Sequence, residues 1–519
     1  MADKRHAEGT GGSERNPQMG DEQRRILLIA LVPLFMSLLS VSIVNVVLPA
    51  IGTSLEASNT ALQWALTGYA LTFGVFLVPA GRAGDLFGRG KLFIAGLAVF
   101  GLSSLLSGIA PNPFVLNIAR LLMGVGSGLL NPQVIGLIQQ YFSGASRGRA
   151  FGLMGSVVGV SVALGPTLGG VLIRVFGDDL GWRMSFLINV PIAILAVVLA
   201  VTSFPRSAWE PPVVPAAPSP SPTADDAATA GNTSATASAG TAPRRAGIDL
   251  DLIGVALLGL GTLCILVPLL LGRATLGTGA LGLLGIVLII GWVLWEAGYK
   301  RRGRSPMVDM DLFRTRSFAN GSLLISMYFF GTTSVWVVLA VYAQNGLGFT
   351  ALQAGLIGLP AAILSAISSS VAGRYIVRIG RPLVLFGMAM AIFGLLAGIG
   401  AVIMHDSAGW PFALVVTAVS FIGLAQGLVI SPNQTLSLTD VPLNYAGAAG
   451  GVLQTGQRIG TAMGLAVVTS VFFAVQAAAG WTTAFSASFA VIAFVVTASA
   501  VVGIIDWIQG RASAAADPS

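Results

Sequence analysis

About fourteen stretches of roughly 20 or more mostly apolar residues succeed one another along this chain, each long enough to cross the hydrocarbon core of a bilayer as a helix. That core holds no water to satisfy backbone N–H and C=O groups, so a spanning segment bonds them internally, and unbroken apolar runs do so as α-helices. The segments fall near residues 26–49, 62–80, 92–110, 115–142, 150–173, 186–203, 252–271, 279–297, 318–343, 351–372, 383–404, 410–434, 447–474 and 484–508. Residues 1–25 are polar and lead into a first segment too long for the apolar region of a secretory signal, which is expected to stay as the first helix. The expected fold class is all-α and integral to a membrane.

Composition excludes several alternatives. Charged residues make up 9% of the chain against about 25% in a soluble domain, which rules out a soluble enzyme. The single cysteine, Cys264, forms no internal disulfide, and His6 and His405 are too few for a His/Cys metal cluster, so neither metal nor cofactor is expected. No Gly-x-x-x-x-Gly-Lys-Ser/Thr loop is present to cradle ATP: Gly90-Lys91-Leu92 lacks both spacing and hydroxyl, and this chain alone is no primary pump. No Ser/His/Asp, Cys/His or paired-carboxylate set falls inside the apolar segments, so an enzyme is not expected.

A net charge of +7 would point to nucleic acid in a soluble protein, but here the positions of the basic residues say otherwise. With the N-terminus inside and alternate loops following, 23 of the 28 Lys and Arg fall on the cytoplasmic side. Arg174, Arg183 and Arg273 fall outside, and Arg120 and Arg458 within spans. The positive-inside rule therefore predicts an even span count and two cytoplasmic termini in a multi-pass cytoplasmic-membrane protein, with no nucleic-acid partner. Residues 205–247, dominated by Ala, Ser, Thr, Pro and Gly, have almost nothing to bury and are expected to be a flexible linker.

The chain also repeats itself. Gly81-Arg82 and Gly88-Arg89 recur 292 positions later as Gly373-Arg374 and Gly380-Arg381, while Asp85 becomes Val377. Asn131-Pro132-Gln133 is echoed by Pro432-Asn433-Gln434. Two related six-helix halves follow, with two helices inserted between them, which is how many secondary transporters are built.

Four motifs give the chain a family resemblance. They are Gly81-xxx-Asp85-xx-Gly88-Arg89-x-Lys91, Arg120-xxx-Gly124-x-Gly126, Gly155-xxx-Gly159 followed by Gly165-Pro166-Thr167-Leu168-Gly169-Gly170, and the pair Ile43 to Pro49 and Trp182 to Pro191. At these residues the chain resembles the major facilitator superfamily, specifically its 14-helix drug:proton antiporter branch. The resemblance implies a cytoplasmic tail (1–25), a six-helix bundle (26–203), a disordered linker (204–251), two inserted helices (252–297), a cytoplasmic loop (298–317), a second bundle (318–508) and a tail (509–519). It implies a monomer in membrane lipid that exports small amphiphilic molecules by alternating access, coupled to protons. The alternative is an exporter or uniporter of one neutral or anionic metabolite without carboxylate-based coupling; a non-transporting receptor is a further one.

Roles follow for particular residues. Asp85, Arg89 and Lys91 are expected to pair with helix ends of the other half and hold the cytoplasmic side closed, the alternative being that they only fix topology. Gly155, Gly159, Gly165, Gly169 and Gly170 are expected to allow close helix approach, and Pro166 to bend the fifth span. A cation at bilayer depth costs about 2.5–3.5 kcal/mol, so Arg120 and Arg458 should line or brace the central cavity, the alternative for Arg120 being bonds to first-helix carbonyls. Asn45, Trp64, Tyr69, Gln133, Tyr328, Trp336, Phe421, Asn433, Gln454 and Gln457 are candidates for a polyspecific pocket. One departure stands out: where the branch carries an Asp two residues after the helix-one Leu, this chain reads Leu39-Ser40-Val41. No other acidic residue is expected at midplane depth, with Glu296 and Asp506 placed at helix ends. Proton coupling is then left to Asp85, Asp506 or the substrate itself, and a neutral or anionic substrate suits the two arginines best.

Overall fold

The computed structural model describes residues 19–211, 251–271 and 275–516. The expected linker lies largely outside the described residues, as do the first 18 residues of the N-terminal tail. Among the described residues every regular element is helical, and twelve helices are long and apolar enough to cross a membrane. The chain is thus an all-helical, multi-pass membrane fold.

The first group comprises α1 (Asp21–Ser54), α2 (Asn59–Phe87), α3 (Arg89–Gly108), α4 (Pro113–Tyr141), α5 (Gly144–Leu187) and α6 (Asn189–Ser203). Within it α1 packs on α5, α4 on α2 and α3, and α3 on α6. The second group comprises α9 (Arg316–Val341), α10 (Ala351–Ile357), α11 (Leu359–Ile379), α12 (Arg381–Ala408), α13 (Ala413–Ser437) and α14 (Ala446–Ala516), with α9 on α14 and α13 on α11 and α12. Between them in sequence, α7 (Leu252–Leu271) and α8 (Leu276–Arg301) pack on each other, and α7 also touches α2 and α14. α1 overruns its expected apolar core at both ends, reaching from Asp21 to Ser54, whereas α7 matches its expected range.

Two elements differ from a simple run of spans. At a rise of about 1.5 Å per residue, α14 would extend about 105 Å, far beyond a hydrocarbon core of about 30 Å. Its helical bonding is interrupted at Gly480 (φ 83, ψ 179), and α5 is interrupted in the same way at Gly177 (φ 77, ψ 175). Positive φ is open to glycine at little cost, so one residue replaces each of the loops expected near 174–185 and 475–483.

The repeated motif is a repeated joint. Gly88 (φ 101) is the sole residue between α2 and α3, and Gly380 (φ 69) between α11 and α12. Both joints lie on the face where α1 begins and α4 and α13 end, which also carries most of the described Lys and Arg and is called the basic face below.

Candidate transport site

The two groups meet closely along two seams, α2 against α14 and α11 against α5. At the basic end of the first, a Cβ on Gly81 would stand 2.2 Å from the Gly447 carbonyl oxygen, and one on Gly451 2.6 Å from that of Leu77. Further along, the two backbones draw apart: a Cβ on Gly74 would meet Leu266 Cδ1 of α7 at 3.1 Å and Cβ of Arg458 at 3.9 Å. The second seam repeats the pattern, with 2.7 Å at Gly148 to the Gly373 oxygen, 2.8 Å at Gly152 to the Ser369 oxygen, and 3.4 Å at Gly159 to Ser365 Oγ. Contact is backbone to backbone at the basic face and relaxes away from it.

A buried charge cluster ties the first seam. Asp85 accepts the backbone N–H of Gly447 at 3.1 Å and of Ala448 at 3.0 Å, donors that the first turn of α14 leaves unbonded and that carry its positive helix end. Arg89 Nη2 donates to Asp85 Oδ1 at 2.9 Å and to the Leu443 carbonyl at 2.7 Å, and Nη1 to Gly136 O at 2.7 Å and Gln140 Oε1 at 2.9 Å. Both charged side chains are fully buried. Gly136 leaves the room Arg89 occupies, since a Cβ there would stand 2.6 Å from Arg89 Nε. Lys91, from the same motif, is exposed.

The second half builds its counterpart differently. Arg381 repeats Arg89, but with Val377 in place of an acid its carboxylate comes from Asp506 near the end of α14, at 2.5 Å. Asn433 Oδ1 accepts from Arg381 at 2.6 Å, and Asn320 donates to Asp506 at 2.9 Å. Asn433, expected in the pocket, is fully buried in this cluster, where its amide also donates to Gly321 O at 2.9 Å. Gln133 is likewise withdrawn, donating to Ala80 O at 2.8 Å and packed against Gly84.

Arg120 is 1% exposed. Its Nε donates to Ala65 O at 2.8 Å, its Nη1 approaches Met123 Sδ at 3.5 Å, and its guanidinium lies 4.5 Å from the Tyr69 ring centre and 5.7 Å from that of Phe186. It braces α2, α4 and the α5 end, and its acceptor belongs to α2 rather than to α1. Tyr69 in turn donates to Ser37 O at 2.9 Å and pairs with Ser127 Oγ at 2.5 Å. Arg458 lies 4.4 Å from the Phe73 ring centre, and Phe73 is 5.9 Å from Tyr69. The two membrane arginines thus flank one aromatic pair on α2.

The antiporter-type glycines divide between two interfaces. Gly155 and Gly159 face Ser369 and Ser365 of α11, whereas Gly165 and Gly169 face Ser42 and Ile43 of α1, and a Cβ on Gly170 would meet nothing within 4 Å. The Pro166 side chain lies outside the described residues. Of the other pocket candidates, Asn45 is exposed with one 3.4 Å bond to Val41 O of its own helix, and Trp64 is 36% exposed. Tyr328 is fully buried with its hydroxyl unpaired among the described residues, Trp336 packs on Gly358, and Phe421 meets the exposed Phe393 edge to face. Gln454 and Gln457 are buried and half-buried on α14 beside Arg458. Glu296, expected at a helix end, is fully buried inside α8, accepting from Trp292 Nε1 at 2.9 Å and from the Met307 N–H at 3.0 Å.

Sequence reasoning missed Gly148, Gly152 and the N–H pair at Gly447 and Ala448. The 292-residue offset that links Gly81 to Gly373 carried the available signal, because both glycines lie on the seams.

Comparison with known proteins agrees with this architecture. The chain is 30% identical over 478 residues to a probable actinorhodin transporter of Streptomyces coelicolor, covering 90% of this chain and 75% of the relative. It is 29% identical to the multidrug resistance protein Stp of Mycobacterium tuberculosis (88% and 77% covered) and 29% identical to a puromycin resistance protein of Streptomyces alboniger (86% and 81%). Among solved structures it is similar in fold to a proton:xylose symporter, with a TM-score of 0.63 at 15% identity over 92% of this chain and 94% of that one. The Major Facilitator Superfamily model matches residues 31–465, and the chain belongs to that superfamily.

Proposed function

We propose that this protein is a secondary active exporter of small amphiphilic molecules, drugs or related metabolites, that works in the cytoplasmic membrane by alternating access with proton coupling. The observation that carries the reading is the gradient of inter-group contact, backbone to backbone toward the basic face and through side chains, such as Ser156 to Ala366 O, beyond it. A bundle pair sealed at one end by Asp85 on the start of α14 and slack beyond it is a rocking pair at one extreme of its travel. The positive-inside rule makes the sealed face cytoplasmic and the state outward-open, with both termini inside. Counting a new crossing after Gly177 and after Gly480 gives fourteen spans, arranged as bundles 26–203 and 318–508 around the inserted pair 252–297. The relatives named for transport of actinorhodin and for resistance to puromycin and to multiple drugs support export as the direction.

A second reading keeps transport but removes carboxylate-based coupling and narrows the cargo to one neutral or anionic metabolite. It is favoured by the state of the two acids left as carriers, since Asp85 and Asp506 are each bound to an arginine. Accumulation of a panel of unrelated dyes and antibiotics in cells with and without the protein separates the readings. Reduced accumulation of several compounds supports polyspecific export, reduction of a single one supports the narrower reading, and no change for any compound rejects both.

A further inference from the structure

Of the two arginines expected within spans, Arg458 is the one whose donors are unspent among the described residues. Its neighbour in role, Arg120, donates to a carbonyl and lies between two rings, whereas Arg458 has no hydrogen-bond acceptor and no carboxylate partner among the described residues. A guanidinium carries five N–H donors, and the Phe73 ring face meets its charge without accepting any of them in the plane. Such a group at bilayer depth is costly unless something accepts from it.

The surroundings supply nothing. On α2 the near groups are the Phe73 ring and Tyr69, whose hydroxyl is already engaged with Ser37 and Ser127. On the lipid side, the inserted helix α7 covers the seam with Leu263, Leu266 and Val267, packed on Leu71 of α2 and Ile459 and Ala462 of α14. Lipid headgroups are therefore shut out along that flank. Arg458 comes from the face of α14 that meets α2, and its guanidinium lies at that junction of the two groups, over the Phe73 ring.

We infer that Arg458 docks an acidic substrate, taking a carboxylate or a comparable oxyanion of an amphiphile in a two-pronged hydrogen-bonded pair. This names the substrate class of the export reading above and rests on it. Guanidinium geometry matches a carboxylate with two parallel N–H···O bonds, and such charge-assisted pairs are the stronger class of hydrogen bond. A cationic substrate would meet two arginines and no carboxylate, the reverse of what a cation-selective cavity needs.

Three probes test the inference in inside-out vesicles and with the purified protein in lipid nanodiscs: dansyl-leucine, its uncharged methyl ester, and ethidium as a cation. The wild-type protein is expected to prefer the acid over the ester by about tenfold or more, in transport and in equilibrium binding. In Arg458→Gln that ratio falls to within about twofold, and in Arg458→Lys, which keeps the charge and guards against misreading a folding defect, part of it survives. Equal or better handling of the ester or ethidium by the wild type overturns the inference while leaving export standing. So does an acid preference that persists in Arg458→Gln. Arg458-dependent binding of the acid with no transport of any probe rejects export but upholds the docking site, and no binding of the acid rejects the site.

Discussion

Gly81 and Gly447 meet backbone to backbone across the boundary between the two helix groups, a Cβ on either standing 2.2–2.5 Å from the carbonyl oxygen of the other. No side chain fits there, and neither helix can yield without parting the seam. Gly81→Ala and Gly447→Ala are each expected to open the basic face and lower export by about tenfold or more, the effect of about 1.4 kcal/mol against closure. Spin labels at Tyr141 and Leu443 measure it, as a longer distance in the variants than in the parent.

Asp85 supplies the closed state with its charge. Asp85→Asn leaves Arg89 buried without a carboxylate and weakens the acceptors for the Gly447 and Ala448 N–H groups. Removing one member of a buried pair costs about 3–5 kcal/mol, most of it falling on the closed basic face, where the pair is dry. Thiol labelling of a cysteine placed at Ala446, which is fully buried at the start of α14, is expected to rise in Asp85→Asn and to stay low in Lys91→Gln, because Lys91 is exposed.

The glycines of the fifth span differ in what they face, and substitution separates them. Gly155→Ala puts a methyl group 2.1 Å from Ser369 Oγ across the second seam and is expected to abolish most transport. Gly159→Ala meets Ser365 Oγ at 3.4 Å and should be mild, and Gly170→Ala meets nothing within 4 Å and should be silent. Initial export rates in vesicles rank the three; a loss in Gly170→Ala as deep as in Gly155→Ala contradicts the geometric account.

Arg120 is a brace, so its loss is a stability defect before it is a transport defect. Arg120→Gln removes the Ala65 bond and the contacts with the Tyr69 and Phe186 rings, and is expected to lower the melting temperature in detergent by several degrees, matching a loss of about 2 kcal/mol or more. Arg458, with no acceptor to lose, is expected to tolerate the same change with little effect on melting.

Much of this was legible in the sequence for a simple reason: lipid forces long apolar helices, and charge sorting fixes which loops share a face. The basic-face motif was legible in part: Asp85 and Arg89 bond to the other group, whereas Lys91, expected to pair as they do, is exposed. What stayed hidden depended on distance in space. Gln133 and Asn433 are amides in apolar helices, as pocket residues would be, and only the fold shows them engaged with Ala80 and Arg381. Val377 read as a lost charge, because the replacement carboxylate, Asp506, comes from a helix more than a hundred residues away. The breaks near Gly177 and Gly480 were legible as gaps between spans, but that one glycine makes each turn was not, because it rests on a positive φ rather than on a polar run.

The central claim is proton-coupled export by rocking about the basic face, and dye uptake into inside-out vesicles under an imposed pH gradient tests it most directly. An acid-inside gradient is expected to drive concentrative uptake that a proton ionophore abolishes and that Asp85→Asn fails to sustain. Uptake unchanged by the ionophore would contradict the coupling, and uptake at the same rate in membranes lacking the protein would contradict export altogether.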